Sequence, residues 1–316
     1  MPKILIIGSK GMLGQELVKV FSADENYEVV SWDTEDIDIT KEAQVKSKIL
    51  PLAPQIIINA AAYNNVDKCE EPAEFAKAKE LNGLAPGYLA QAAKELGAVL
   101  VHYSTDYVFD GLKKEGYKET DEPSPVDNYG WSKLLGEQQI QRVGGKDYNW
   151  QGGRSKNLFL LRPSEPISSD AIFYGGAYLI RLQKLFGWPA QSPGAKKSFF
   201  YNMMTLAKEK KKLEVVDEES ANFTYAPDMA KQTKYLIEQK LPYGIYHITN
   251  EGLPVTWYGA ARALFMILGR NDIKLTPVAA DKFPRPAKRP KYSVLLNTKL
   301  LPLRPWPKAL KEFLGR

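Results

Sequence analysis

Tyr129 and Lys133, in Tyr129-Gly130-Trp131-Ser132-Lys133, are the residues of this chain best suited to moving a proton. The segment after them places apolar residues at Leu134, Leu135 and Ile140, a spacing that predicts a helix. On a helix, positions four apart share one face, so the phenol and the ammonium point into one site. A free phenol, with a pKa of about 10, is a poor acid–base group near neutral pH. A cation beside it favours the phenolate and moves its pKa toward the working range, as general acid–base catalysis requires. Alone, the pair describes any helix with a surface tyrosine and a solvated lysine. Its weight comes from what precedes it.

Lys3 to Ile7 reads as a buried parallel strand. It ends in Gly8-Ser9-Lys10-Gly11-Met12-Leu13-Gly14, and Gln15 to Phe21 has helical periodicity. Strand, glycine turn and helix are the context of a dinucleotide fingerprint: glycines for the tight turn, backbone amides for a pyrophosphate, and the positive end of a helix dipole. The alternative is a glycine-rich turn that holds nothing. Tyr27 to Trp32 is a second strand, followed by Asp33, 19 residues after Gly14. An acidic residue there suits the adenosine ribose and repels a 2′-phosphate, which leans toward NADH over NADPH. Thr40 is a candidate N-cap for a helix near Ala43 to Ile49, which leaves Asp38 free for adenine.

Gln55 to Asn59 is a third strand, closed by Asn59-Ala60-Ala61-Ala62-Tyr63, whose small side chains let a ligand come close. A long amphipathic helix is expected from about Pro72 to Leu96. Ala98 to Tyr103 is a fourth strand and delivers Ser104 and Thr105 to the carboxyl edge of the sheet, where ligands bind in open α/β sheets. The strand–helix alternation argues for α/β class, a Rossmann-like doubly wound parallel sheet. Helical periodicity covers Ala177 to Phe186 and Asn202 to Lys211; Leu213 to Val216 and Ile245 to Ile248 read as strands. Thr256 and Gly269 bracket another helix. Residues 1–165 are expected to form the dinucleotide-binding domain, with returns near 213–239 and 244–250. Residues 166–316 are expected to be mainly a substrate-binding cap.

The chain has 316 residues, 44% hydrophobic and 25% charged, ordinary for a soluble globular protein. Its single cysteine, Cys69, excludes an intramolecular disulfide and suits a reducing, cytoplasmic setting. No run of about 18 apolar residues predicts a membrane span. The net charge of +6 is concentrated in Lys208–Lys212 and Arg285–Lys291. No nucleic-acid module accompanies it, and an acidic small ligand fits the arginines at least as well. The two histidines, His102 and His247, lie in apolar strands and read as structural; no metal is expected.

Gly8 to Gly14, Asn59 to Tyr63, Ser104 to Gly111 and Tyr129 to Lys133 together resemble an extended short-chain dehydrogenase/reductase. Within that superfamily, Asn59 to Tyr63 with Val66-Asp67-Lys68, Ser104 to Gly111, Tyr225 to Ala230, Gly244 to Asn250, and Arg289-Pro290 with Ser293 are similar to dTDP-4-dehydrorhamnose reductase. The resemblance implies reduction of the 4-keto group of a dTDP-6-deoxy-hexulose by NAD(P)H, giving dTDP-L-rhamnose. It implies Tyr129 as proton donor, Lys133 on the nicotinamide ribose, and Thr105 orienting the substrate oxygen. Gly8, Gly11, Met12, Leu13 and Gly14 would line the cofactor from the first turn. Asp33, Asp38 and Ile39 would line it from the second, and Ala60, Ala61, Ala62, Tyr63 and Ser104 from the strands between. Tyr107 and Val108 would lie near the sugar, and Arg289 is a candidate for its phosphate. The partner would be a nucleotide sugar, and the protein a monomer or homodimer.

The chain departs from this pattern in the middle. A strand at Asn157 to Leu161 is expected to run into Arg162-Pro163-Ser164-Glu165, with Glu165 where the family has a substrate-facing tryptophan after Arg-Thr-Ser. Two other readings stay open: a non-catalytic regulatory subunit like that of methionine adenosyltransferase, and an epimerase or dehydratase on the same scaffold.

Overall fold

The computed structural model describes residues 1–144, 176–192 and 195–316. Six parallel strands form the central sheet: β1 (Lys3–Ile7), β2 (Glu28–Trp32), β3 (Ile56–Asn59), β4 (Val99–Thr105), β5 (Ala177–Leu182) and, at the far edge, Gly244–His247. Three short strands lie between the last two in the chain, β6 (Leu185–Phe186), β7 (Lys212–Val216) and β8 (Thr224–Tyr225), so the edge strand is β9. The order is β2-β1-β3-β4-β5-β9. Chain direction across the sheet therefore reverses between β1 and β3, and a crevice opens at their carboxyl ends.

The strands alternate sides, as a period of two demands. Leu5, Ile7 and Ile57 bury into one core with Val45 and Ile49 of α2 (Glu42–Leu52) and Leu89 of α4 (Ala85–Leu96). Ile4, Ile6, Ile56 and Ile58 bury into the other with Leu17 and Phe21 of α1 (Gly14–Ser22) and Met229 and Leu236 of α7 (Ala226–Glu238). Full burial of each such side chain stabilises the fold by roughly 1.5–3 kcal/mol.

Several elements differ from the sequence reading. The helix expected from Pro72 to Leu96 is broken: α3 (Pro72–Ala78), a π-helical stretch at Lys79–Leu84, then α4. Helix α2 is preceded by Lys41, not by Thr40 as cap. Ala177 to Phe186 is not a helix. It supplies β5, paired in register from Leu100–Ala177 to Thr105–Leu182, and then β6. Its apolar residues fit both periods, and burial on both sheet faces decides for strand. The strand expected at Asn157 to Leu161 lies outside the described residues.

Helix α5 (Asn128–Val143) packs on α4 and β4, while the later part is assembled from α6 (Phe199–Glu209), α8 (Trp257–Leu268), α9 (Trp306–Phe313) and three two-stranded sheets, β6–β8, β7–β11 (Lys274–Val278) and β10 (Asn250–Glu251)–β12 (Leu303–Pro305). Strand β7 joins β11 and does not return to the central sheet; α7 and β9 do pack on it. A separate core gathers Phe186, Phe200, Phe223, Tyr225, Trp306 and Phe313. The proline-rich tail is docked, with Leu295, Trp306 and Phe313 buried.

Candidate active site

The crevice between β1 and β3 is lined by backbone. Gly8 takes φ 76°, and a Cβ there would lie 2.6 Å from the Ala61 amide nitrogen, so the chain closes only around glycine. The Gly11 amide donates to the Gly8 carbonyl, and the Ala60 amide to that of Ile7. Helix α1 then starts at Gly14 with no side chain capping its amino end, which leaves its positive pole to a ligand. Asp33 anchors this turn: its carboxylate accepts from the amides of Lys10 and Thr34, both at 2.9 Å.

Three residues assigned to the cofactor are committed elsewhere. Asp38 accepts from the amide and hydroxyl of Thr40, at 3.0 and 2.6 Å, so it is not free. Ile39 and Leu13 are core side chains. Met12 sits at the surface of that core, against Gly187. Tyr63 is held by Asn82, which accepts from its amide at 2.8 Å and donates to its carbonyl at 2.9 Å. The same amide nitrogen reaches Ser132 Oγ on α5 at 3.0 Å. Asn82 lies in the π-helical stretch, and such bulges are frequent at functional sites.

Helix α5 carries Tyr129 and Lys133. Asp127 caps it by accepting from the Gly130 amide at 2.7 Å. A Cβ at Gly130 would lie 2.2 Å from the Tyr107 carbonyl oxygen, so only glycine lets the helix start seat against the turn Asp106–Val108 that follows β4. The Thr105 hydroxyl, at the end of β4, donates to Asp106 Oδ1 at 3.1 Å and accepts from the Tyr107 amide at 3.2 Å. Tyr129 Oη donates to Asn64 Oδ1 at 3.4 Å, and its ring meets Tyr107 edge-on at 5.6 Å.

The electrostatics differ from expectation. Burial pushes the Tyr129 phenol well above its ordinary range, and the nearby Thr105 hydroxyl only partly opposes it. The Lys133 ammonium is engaged elsewhere: it donates to the Tyr103 carbonyl at 2.6 Å and lies 3.5 Å from His102 Nε2. Burial lowers its pKa to about 8, against the pull of Glu137. His102 is a buried structural residue that also borders this lysine. Asn59 Nδ2 donates to its Nδ1 at 3.1 Å, while Asn59 Oδ1 accepts from the Ala61 amide at 3.2 Å. One chain of contacts runs from the alanine loop to the lysine. Burial and the Lys133 charge keep His102 well below its ordinary pKa, hence neutral. Ser104 Oγ is buried without a partner among the described residues.

Tyr107, assigned to the sugar, packs with Tyr63 and Tyr129. Val108 does not: it is fully buried with Phe109, Tyr117 and Leu295. Arg289 forms an ion pair with Asp67 at 2.8 Å and also donates to the Ala287 carbonyl at 3.0 Å. It borders an open cleft of about 530 Å³ together with Glu219, Arg285, Phe283 and Lys291. Glu165 lies outside the described residues.

A family model described as RmlD substrate binding domain matches residues 2–149 and 173–316. The dTDP-4-dehydrorhamnose reductase of Aggregatibacter actinomycetemcomitans is 33% identical over 99% of this chain and 98% of its own. A crystal structure of a dTDP-4-dehydrorhamnose reductase from Clostridium acetobutylicum superposes with a TM-score of 0.83 at 34% identity, covering 99% of this chain and 98% of that one. One from Bacillus anthracis, in complex with NADP, gives a TM-score of 0.83 at 29% identity over 100% and 99%. The chain belongs to the RmlD substrate binding domain family. The RmlD match skips 150–172 and resumes just ahead of β5. Arg181 of β5 is fully buried and paired with Glu137 of α5 at 2.7 and 3.0 Å.

Proposed function

We propose that this chain is an NAD(P)H-dependent reductase of the 4-keto group of a dTDP-4-keto-6-deoxy sugar, taking dTDP-4-dehydrorhamnose to dTDP-L-rhamnose. The observation that carries the reading is the convergence on Tyr107 of Thr105, whose hydroxyl accepts from its amide, and Tyr129, whose ring meets it edge-on, beside the glycine and alanine turns of β1 and β3. Family membership and the names of the relatives support it.

The residues fit a dinucleotide. The seat closes only around Gly8, Ala60 and Ala61 offer small side chains, and α1 presents an uncapped amino end suited to a pyrophosphate. Bound there, the nicotinamide supplies a hydride; the protein must supply the proton. Tyr129 is kept protonated by burial and serves as the donor to the carbonyl oxygen. Thr105 orients that oxygen. Lys133, fixed by the Tyr103 carbonyl, holds the ribose and brings a positive charge toward the forming phenolate. Asp33 disfavours a 2′-phosphate beside the turn it anchors, so NADH is the preferred cofactor. The nucleotide sugar enters through the cleft bordered by Arg285 and Arg289. The enzyme acts in the cytoplasm on a small-molecule partner.

The test is oxidation of NADH and of NADPH with dTDP-4-dehydrorhamnose, with the product identified by NMR. Turnover to dTDP-L-rhamnose is expected. Absence of turnover with both cofactors, together with co-purification of a second subunit, would overturn the reading in favour of a regulatory role. Inversion or dehydration without net cofactor oxidation would make the chain an epimerase or dehydratase.

A further inference from the structure

One side chain joins the cleft to the acid–base residues and is not used by the reaction derived above. Lys184 lies two residues beyond Leu182, which pairs with Thr105 across β4 and β5. Its backbone is held at φ 34°, a left-handed conformation that a lysine adopts only under constraint, and such strain clusters at functional sites. Its Nζ donates to the Glu219 carbonyl at 3.1 Å and stands 3.9 Å from the centre of the Trp257 ring. Glu219 borders the cleft, and its carboxylate receives Trp257 Nε1 at 2.8 Å and the Arg285 guanidinium. On the other side, Asp106 attracts the same ammonium, and Asp106 receives the hydroxyls of Thr105 and Ser293 at 3.1 and 2.6 Å. The amine thus stands between the immediate neighbour of Thr105 and the wall of the cleft.

An ammonium has three N–H donors. The Glu219 carbonyl takes one and the Trp257 face attracts another, which leaves a donor for a ligand oxygen. Burial lowers the amine's pKa to about 8, opposed by the charges of Asp106 and Glu219. The cationic rim of the cleft, Arg285, Arg289 and Lys291, is suited to a diphosphate. The reacting carbonyl belongs at Thr105 and Tyr129. A hexose bridging the two passes Lys184.

We propose that Lys184 is a substrate-binding residue, whose ammonium donates to an oxygen of the hexose in the bound nucleotide sugar. This rests on the reading of the chain as a nucleotide-sugar reductase and names a sugar contact within it. The test is calorimetric titration of the full chain, saturated with oxidised cofactor, with dTDP-rhamnose and separately with dTDP. In Lys184→Met, affinity for dTDP-rhamnose falls about tenfold or more, the scale of a lost hydrogen bond from a charged donor, while affinity for dTDP is unchanged. Lys184→Arg recovers part of the loss. An unchanged affinity for dTDP-rhamnose overturns the assignment, and so does an equal loss for both ligands, which would make the lysine a nucleotide contact or a structural one. If Lys184→Met does not fold, Lys184→Gln, which keeps a donor toward Glu219, is read for the same split. Wild-type protein that binds no dTDP-rhamnose overturns the reductase reading and this contact together. Wild-type binding that survives in Lys184→Met overturns the contact alone.

Discussion

The two ends of the site are built from different materials. The proposed cofactor end is main chain: the Gly8 turn, the Ala60–Ala62 loop and the uncapped start of α1. The proposed sugar end is long side chains that already hold one another, Lys184 with Glu219, Glu219 with Arg285 and Trp257, and Arg289 with Asp67. Backbone recognition needs few residues, contiguous in sequence and small. Side-chain recognition draws on residues scattered from β4 to the tail. The first end is therefore stiff and common to many dinucleotide proteins, and the second is where this chain can differ from its relatives.

The largest effect should fall on the strut beneath both ends. Arg181→Met leaves Glu137 buried and unpaired, and unfolding experiments should show a loss of about 3–5 kcal/mol. Tyr129→Phe should lower kcat by about 10²-fold or more with cofactor affinity intact, since only the proton donor is removed. Wild-type turnover in that variant would take Tyr129 out of the mechanism. Gly8→Ala should separate the ends: strain at φ 76° and contact with Ala61 should weaken NADH binding about tenfold, with dTDP affinity unchanged by titration. Arg289→Ala should do the reverse and more weakly, raising KM for the sugar nucleotide less than about tenfold, because its guanidinium already spends itself on Asp67.

The smallest effect concerns pH. Burial pushes the Asp127 carboxyl up to about 7 from an ordinary value of 3.8. A raised folded-state pKa means that the folded protein binds this proton more tightly than the unfolded chain. Its contribution to stability is full below about pH 4 and is lost as pH rises through about 7. Asp127→Asn should therefore flatten the fall of the melting temperature over that window, leaving cofactor affinity unchanged. A wild-type melting temperature that rises steadily across the same window would contradict the burial argument.

The same division of materials explains what could be read from sequence. Gly8 to Gly14, the alanines after Asn59, and Thr105 with Tyr129 sit in contiguous motifs with a stated physical need, and the central sheet follows from apolar runs at β1, β3 and β4. Ala177 to Phe186 was ambiguous because its apolar residues satisfy both periods, and only pairing with β4 settles it. Asp38, Ile39, Leu13 and Val108 were assigned by position beside the motifs, but packing and local hydrogen bonds claim their side chains. His102, Asn82 and Lys184 were missed for the opposite reason. Each acts through partners 31 to 50 positions away, such as Lys133, Ser132 and Glu219, and no local pattern marks such a contact.

The thread from Ala61 through Asn59 and His102 to Lys133 crosses three neighbouring segments at right angles to the strands. It ties the alanine loop to the helix that carries Tyr129, so the spacing between the proposed cofactor seat and the proposed proton donor is fixed by contacts within the protein.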